Sequence, residues 1–310
     1  MRAFVFPEPG STPEVRDIDI PEPGEGEVRV RVEAASVNGF DLSVAAGYLV
    51  NMMEHRFPVV LGKDFSGTID AVGSGVSGFT SGDRVFGVVT KTFLGDGSFA
   101  EYVTVPVAVG LAKLPDVVDF THGAALGLAG TAALMSVEAA AIQLDETVLI
   151  VGATSGVGSQ AVQLAKRAGA RVVATANSDE GRQLVSELGA DETVDYQQDV
   201  AATMQERYPD GVDVVLHFAD DPAETVSVVR RGGRYCSTRI MSADQVAVEH
   251  VSVLPIFADP APDILERLAA HEAQGVTRVV IERTYPLDQA PQALADFASG
   301  TLGKLVITTR

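Results

Sequence analysis

The chain has 310 residues, with 42 acidic against 23 basic side chains, a net charge of −19, one cysteine and no tryptophan. At roughly 100–200 residues per domain the length suggests two domains, and 46% apolar beside 21% charged residues is a globular balance rather than a disordered one. The acidic surplus argues against nucleic acid and anionic membrane as partners, no apolar run approaches the roughly 18 residues of a spanning helix, and Cys236 alone can form neither an internal disulfide nor a multi-cysteine zinc site.

The first ten residues, MRAFVFPEPG, lack the apolar stretch of a signal peptide, so the expected location is cytoplasmic. To about residue 118 the chain is rich in Val, Gly and Pro and poor in helical periodicity. EVRVRVEAASV at 27–37 alternates apolar and polar residues, the pattern of a half-buried strand. GTIDAVGSGV, DRVFGVV and FAEYVTVP read as further short strands separated by turn residues, the last ended by Pro106. Together they predict a small β-barrel or sandwich. From Thr121 the Ala-rich HGAALGLAGTAALMSVEAAAIQL predicts one or two helices.

TVLIVG is then a buried parallel strand, followed by the glycine loop ATSGVG and an amphipathic helix closing at Gly169. RVVATA, ETVDY, VDVVLHFA, GGRYCST and VAVEHVSV supply later strands, and SDEGRQLVSELGA a helix. Such alternation predicts a doubly wound parallel sheet. The tail predicts a helix at 262–274, a strand at RVVIERTYP, a helix at 287–299 and a strand at KLVITT. Because sequential βαβ alternation stops there, these elements are assigned back to the first domain. The expected domains are 1–118 with 256–310, and 119–255.

The strongest chemical signal is VLIVGATSGVGSQAVQLA at 148–165. A strand entering a glycine turn and then a helix aims unpaired amides and a helix dipole at one point, where a pyrophosphate fits. Gly156 lets backbone approach phosphate and Gly158 lets helix pack on strand, although Ala153 and Ser155 replace two glycines of G-x-G-x-x-G. Thr154, Ser155, Gly156 and Val157 are therefore the candidate pyrophosphate residues. The second strand ends in ATANS with no acid at its tip for a ribose 2′-hydroxyl, which favours NADPH over NADH. Ser178 either caps the next helix or donates to the 2′-phosphate, and Arg182 is either a phosphate ligand or a solvated surface cation.

In order along the chain, SVNGFD from Ser36, FPVVLGKDFSGTIDAVGSGVSGFTSGDRVFG from Phe57, GSFAEYVTVP from Gly97, AGTAALMSV from Ala129, the glycine-loop segment, LGADETVDY from Leu188, RRGGR and YPLDQAPQALADFASGTLGKLVI resemble the medium-chain dehydrogenase/reductase superfamily. The resemblance is to its zinc-less quinone oxidoreductase branch. It implies an α/β architecture: a GroES-like β-domain built from both chain ends, a doubly wound Rossmann domain inserted between, and a cofactor cleft. It also implies NADPH as cofactor, a small-molecule quinone or enone as substrate, and a homodimer formed through VAVEHVSVLP as an edge strand.

Zinc-dependent relatives place a Cys, a His–Glu pair and a second Cys around a catalytic metal, where this chain has Asn38, Lys63–Asp64 and Gly127. Asn, Lys and Gly are poor zinc ligands, and Asp41 with Asp64 make a carboxylate pair without histidine. Lys63 and Asp64 are expected to form an ion pair that fills the vacated position. Without a Lewis acid, alcohol oxidation is disfavoured and hydride delivery to an already polarised quinone or α,β-unsaturated carbonyl is favoured.

By the same resemblance Asn38 orients a carbonyl of nicotinamide or substrate, or is a turn residue. Thr131 lies beside the nicotinamide, or is a helix cap. Tyr196 approaches the adenosine 2′-phosphate, and Phe218 passes the nicotinamide ribose. Tyr48 lies in the loop AAGYLVNMMEHRFP over the substrate end, where its hydroxyl hydrogen-bonds or protonates the acceptor oxygen. Met52, Met53 and Phe57 shape an apolar pocket or pack, and His55 is a surface residue. His217 reads as a core histidine satisfied by a backbone partner, and Cys236 as an inert buried thiol. Two alternatives stay open: an NADPH-binding redox-sensing or structural protein without significant turnover, and a zinc-dependent alcohol dehydrogenase.

Overall fold

The structure, a computed structural model, describes residues 1–246 and 248–309. They divide into two units, Met1–Ala129 joined by the chain from Pro260 onward, and Gly130–Asp259. The first boundary falls inside the helix Phe120–Ala140 rather than ahead of it.

In the first unit the strand Glu27–Ser36 is central. Its Val28, Val30 and Val32 are buried while Arg31 is exposed, as period-two alternation requires. Along the main sheet the order is Leu111–Lys113, Arg84–Val88, Asp64–Val72, Glu27–Ser36, Lys304–Thr308, Ile281–Pro286, with Tyr102–Pro106 also on Glu27–Ser36. The chain's last strand thus pairs antiparallel with one of its first, Val306 opposite Ser36 and Ile307 opposite Ala35. A smaller sheet joins Glu14–Asp17, Arg2–Phe6 and Val59–Val60, none of which was foreseen as a strand. Phe4, Phe65, Ile69, Phe99, Leu294 and Ile307 belong to the core.

The second unit is a parallel sheet with helices. Its strands, in spatial order, are Glu192–Val194, Arg171–Thr175, Thr147–Val151, Val212–His217, Val229–Ser237 and Ser252–Pro255. In chain order that is 3-2-1-4-5-6, the dinucleotide-binding arrangement, so the expected architecture of a β-domain plus a doubly wound domain is observed. The helix Gly156–Arg167 buries Ala161, Val162, Leu164 and Ala165. Asp199 caps Val200–Arg207 by accepting from Ala202 N–H at 2.8 Å, a helix the composition did not announce.

Several expectations are corrected. The Ala-rich stretch is one 21-residue helix, and it is long and apolar enough to meet the length and hydropathy of a membrane span, with mean hydropathy 1.3. Of that window 72% is buried inside the protein, the environment of a core helix. VAVEHVSV is not a strand throughout: Ala243–Val246 is a 3-10 turn, Ala247 lies outside the described residues, and only Ser252–Pro255 is extended. His250 adopts φ 68, a turn conformation that no strand accommodates, and its carbonyl accepts from Gly232 N–H. The helix expected at 287–299 opens as a 3-10 turn and becomes α-helical at Ala290, beside Pro291.

Gly158 sits at the tightest helix–strand approach: a Cβ there would lie 2.6 Å from Ala153 Cα and closer still to Gly152 O. Gly158→Ala is therefore expected to destabilise the protein by about 1–3 kcal/mol, the usual cost of overpacking, read as a lower urea midpoint. An unchanged midpoint would show that the turn yields freely.

Candidate functional site

The candidate residues fall in two groups, one in each unit. In the second unit, Thr154–Val157 follow the strand Thr147–Val151, Ser178 and Arg182 follow Arg171–Thr175, Tyr196 follows Glu192–Val194, and Phe218 follows Val212–His217. Because these strands are parallel, all eight lie at one edge of the sheet, outside its carboxyl ends. Ser155 caps the helix Gly156–Arg167, its Oγ accepting from Gly158 N–H at 3.1 Å. The first-turn amides of a helix have no partner within it, which leaves Gly156 and Val157 as donors to an anion. Gly152 N–H donates to Thr175 Oγ1 at 2.9 Å and ties the turn to the next strand. The crowding that forces glycine at 158 and this capped, amide-rich turn fit a dinucleotide pyrophosphate.

At the adenosine end, Ser178 is a helix cap, its Oγ accepting from Gly181 N–H at 3.0 Å; the hydroxyl proton is still free to donate. Arg182 is ion-paired to the exposed Asp179 at 2.9 Å. Tyr196 is half-exposed, and its hydroxyl pKa is raised by partial burial and by Asp220 and Asp195. Phe218 is partly buried, and its N–H donates to Val151 O. Thr131 is fully buried in the middle of Phe120–Ala140, so it is not a helix cap.

His217, at the end of its strand, has a side-chain partner rather than the expected backbone one: Nδ1 meets Ser237 Oγ at 3.0 Å. Its Nε2 is buried without a partner and the ring stacks on Tyr235. Burial, with Arg239 nearby, lowers its pKa to about 4, so it is neutral at pH 7. Burial likewise pushes the Cys236 thiol up to about 12, leaving it protonated and inert.

In the first unit Asn38 is buried and caps the short helix Gly39–Ala45. Its Nδ2 donates to Asp64 Oδ2 at 2.9 Å and to Ser36 O at 3.2 Å, and its Oδ1 accepts from Lys304 Nζ at 2.6 Å. Asp64, fully buried, also accepts from Ser36 Oγ at 2.7 Å and from Leu128 N–H at 2.8 Å. The expected Lys63–Asp64 ion pair is absent. Asp64 pairs with Lys304, Nζ–Oδ2 3.5 Å, while Lys63 donates to Val89 O at 2.7 Å and lies over the Phe40 ring. Lys63 is a bend residue just ahead of the strand Asp64–Val72, and its side chain leaves toward Val89 and Phe40 rather than toward Asp64.

Lys304 was missed, though a lysine inside the apolar run KLVIT was a legible signal that a buried charge needs a partner. Gly127 faces the same carboxylate: a Cβ there would stand 2.6 Å from Asp64 Oδ1. Among the described residues no group of three or more His, Cys, Asp or Glu is placed to hold a metal ion. Asparagine and lysine at the other positions do not fit zinc either.

Asp41 is buried and accepts Asn38 N–H at 2.8 Å. With Lys63 it lines a cavity of ≈ 20 Å³, room for about one water. Burial raises its pKa from 3.8 to about 7, with Asp64 adding to the rise. Tyr48 lies in the turn after Gly39–Ala45 and is 76% exposed, as are Val50 and Met52 nearby to a similar degree.

Comparison with known proteins follows this division. The family model "Alcohol dehydrogenase GroES-like domain" matches residues 24–116 and "Zinc-binding dehydrogenase" matches 156–258. The chain is 30% identical over 327 residues to the quinone oxidoreductase of Sus scrofa, covering 99% of this chain and 96% of that protein. The structure of the quinone oxidoreductase from Coxiella burnetii superposes with TM-score 0.89 at 25% identity, covering 100% of this chain and 99% of that one. A structure described as an NAD-dependent alcohol dehydrogenase gives TM-score 0.86 at 29% identity, with both chains fully covered at 100%.

A carboxyl group whose pKa is raised on folding binds its proton more tightly in the folded state. As pH rises from about 4 to about 7 the unfolded chain releases that proton first, so stability falls through this window and levels off above it. Asp41→Asn does not titrate, and its stability relative to wild type is expected to improve between about pH 4 and about pH 7 in urea denaturation. A difference independent of pH would show that Asp41 is ionised throughout.

Proposed function

Because the chain belongs to the medium-chain dehydrogenase/reductase superfamily, in its quinone oxidoreductase branch, we propose that it reduces quinones or α,β-unsaturated carbonyls with NADPH and without a metal. It is an oxidoreductase of that family, whose members use nicotinamide cofactors. The observation that carries the metal-free reading is the donor set. Asn38, Lys63 and Gly127 offer no thiolate or imidazole; of the two carboxylates beside them, Asp64 is spent on Lys304, Ser36, Asn38 and Leu128 N–H, and Asp41 accepts Asn38 N–H.

When bound, the reduced nicotinamide supplies a hydride. A conjugated acceptor moves the incoming charge onto its own oxygen, so the chain has only to orient the acceptor and let one proton reach it. Asn38 and Tyr48 are assigned to this end: Asn38 orients nicotinamide or acceptor through its Oδ1, and the exposed Tyr48 hydroxyl holds or hands over the proton at the acceptor oxygen. Thr154, Ser155, Gly156 and Val157 hold the pyrophosphate. Ser178, Arg182 and Tyr196 take the 2′-phosphate end, and Thr131 and Phe218 the nicotinamide end. A homodimer is part of the reading, supported by the edge strand Ser252–Pro255 with Phe257 exposed just after it. The opposing reading, NADPH binding without turnover, has one observation in its favour: both polar atoms of Asn38 are already engaged inside the protein.

Purified protein mixed with NADPH and a panel of quinones and enones is expected to consume the reduced-nicotinamide absorbance. Binding of NADPH with no consumption across the panel would select the non-catalytic reading. Arg182→Ala is expected to lower kcat/KM for NADPH about tenfold, equivalent to about 1.4 kcal/mol, and to leave NADH nearly unchanged. Equal losses with both cofactors would remove Arg182 from the 2′-phosphate.

A further inference from the structure

The register of the first unit's sheet sets up an arrangement that the reading above does not use. Val306 stands opposite Ser36 in the antiparallel pair, and the same register continued by two residues brings Lys304 opposite Asn38. Across the other edge of Glu27–Ser36, Ser36 stands opposite Asp64. Three segments distant in sequence therefore place an ammonium, an amide and a carboxylate in one buried ring. Lys304 Nζ donates to Asn38 Oδ1 at 2.6 Å, Asn38 Nδ2 donates to Asp64 Oδ2 at 2.9 Å, and Nζ lies 3.5 Å from that same oxygen. Lys304 is 3% and Asp64 0% exposed, so water does not compete for these contacts.

We propose that Lys304 is a positioning residue of the reduction, an internal cation that pins the Asn38 amide in one orientation. The ring permits only one orientation of that amide. Turned over, its NH2 would face the ammonium and its oxygen the carboxylate, two repulsive contacts in a low-dielectric site. Lys304 also donates to Val37 O at 2.9 Å, which fixes the backbone one residue before Asn38. Lys63 does not share the task, since its ammonium is turned to Val89 O. Asp64 fills the space left by the absent side chain at Gly127. Both Nδ2 hydrogens are spent on Ser36 O and Asp64 Oδ2, so what the pinned amide offers a ligand is the second lone pair of Oδ1, which takes an N–H or O–H donor.

The inference rests on the proposed reduction and on Asn38 as its orienting residue. Lys304→Met alone buries an unpaired Asp64 and can fail to fold, so the decisive variant is Lys304→Met with Asp64→Asn, which removes both charges at similar volume. Lys304→Arg serves as the conservative variant. Folding is checked by circular dichroism and NADPH affinity by fluorescence titration. The side-chain amide signal of Asn38, assigned in 15N-labelled protein by its loss in Asn38→Ala, reports its orientation.

Expected for the double variant are a folded protein, unchanged NADPH affinity, an Asn38 amide signal averaged toward solvent-exposed values, and kcat at least tenfold lower. Lys304→Arg is expected to keep the wild-type amide signal and recover most of kcat. A double variant with wild-type kcat would overturn the proposal and make Lys304 no more than the counter-ion of Asp64. So would one with an unchanged Asn38 signal. A wild-type protein that reduces nothing would overturn the reading of the reaction itself, and this proposal with it.

Discussion

A charge buried in a sheet is tolerated only when its partners are brought to it, and here the charge is the Lys304 ammonium. Stripping an ammonium and a carboxylate of water costs several kcal/mol each, recovered only if geometry is good and every remaining donor is used. Lys304 finds Val37 O, Asn38 Oδ1 and Asp64 Oδ2, and Asp64 fills its remaining capacity with Ser36 Oγ and Leu128 N–H. None of these lies near residue 304 in sequence. The last strand must therefore lie on Glu27–Ser36 in one register, because a one-residue slip would turn Lys304 to the opposite face. The ion pair and the closure of the chain ends onto one sheet thus specify each other.

The same local charge count explains Asp41. Two buried carboxylates stand near Lys304, with Lys63 the next cation and its Nζ already given to Val89 O. Burial dominates, and with Asp64 it raises the Asp41 pKa to about 7, while Lys304 and Lys63 oppose the rise. Burial lowers both lysines in turn, against the pull of the carboxylates. The group therefore sits close to taking up or releasing one proton near neutrality, a consequence of packing an uneven set of charges under a capped helix.

What the sequence made legible was what depends on near neighbours. Alternation in EVRVRVEAASV gave the central strand of the first unit, and the apolar run into ATSGVG gave the strand, turn and helix of the second. What it hid depends on contacts across the fold. Lys63 and Asp64 are adjacent in sequence and do not pair, whereas Lys304 and Asn38 are 266 positions apart and do. The partner of His217 was hidden for the same reason: Ser237 belongs to the neighbouring parallel strand, and only the register places it there. The stretch 246–253 failed differently, since its apolar alternation is real but His250 at φ 68 breaks it.

The net charge of −19 bears most on the proposed cofactor turn. The segment GATSGVG at 152–158 holds no lysine or arginine, and several of the chain's cations are spent in its interior, Lys304 at 3% and Lys91 at 10% side-chain exposure. A polyanion approaching this chain meets a repulsive field that salt screens within about 8 Å. Attraction must then come from groups acting at hydrogen-bond range: the first-turn amides of Gly156–Arg167, the helix dipole behind them and nearby hydroxyls. Those groups serve only if backbone and phosphate can come close. In an acidic chain, the missing side chains of Gly156 and Gly158 therefore do the work that a lysine would share in a basic one.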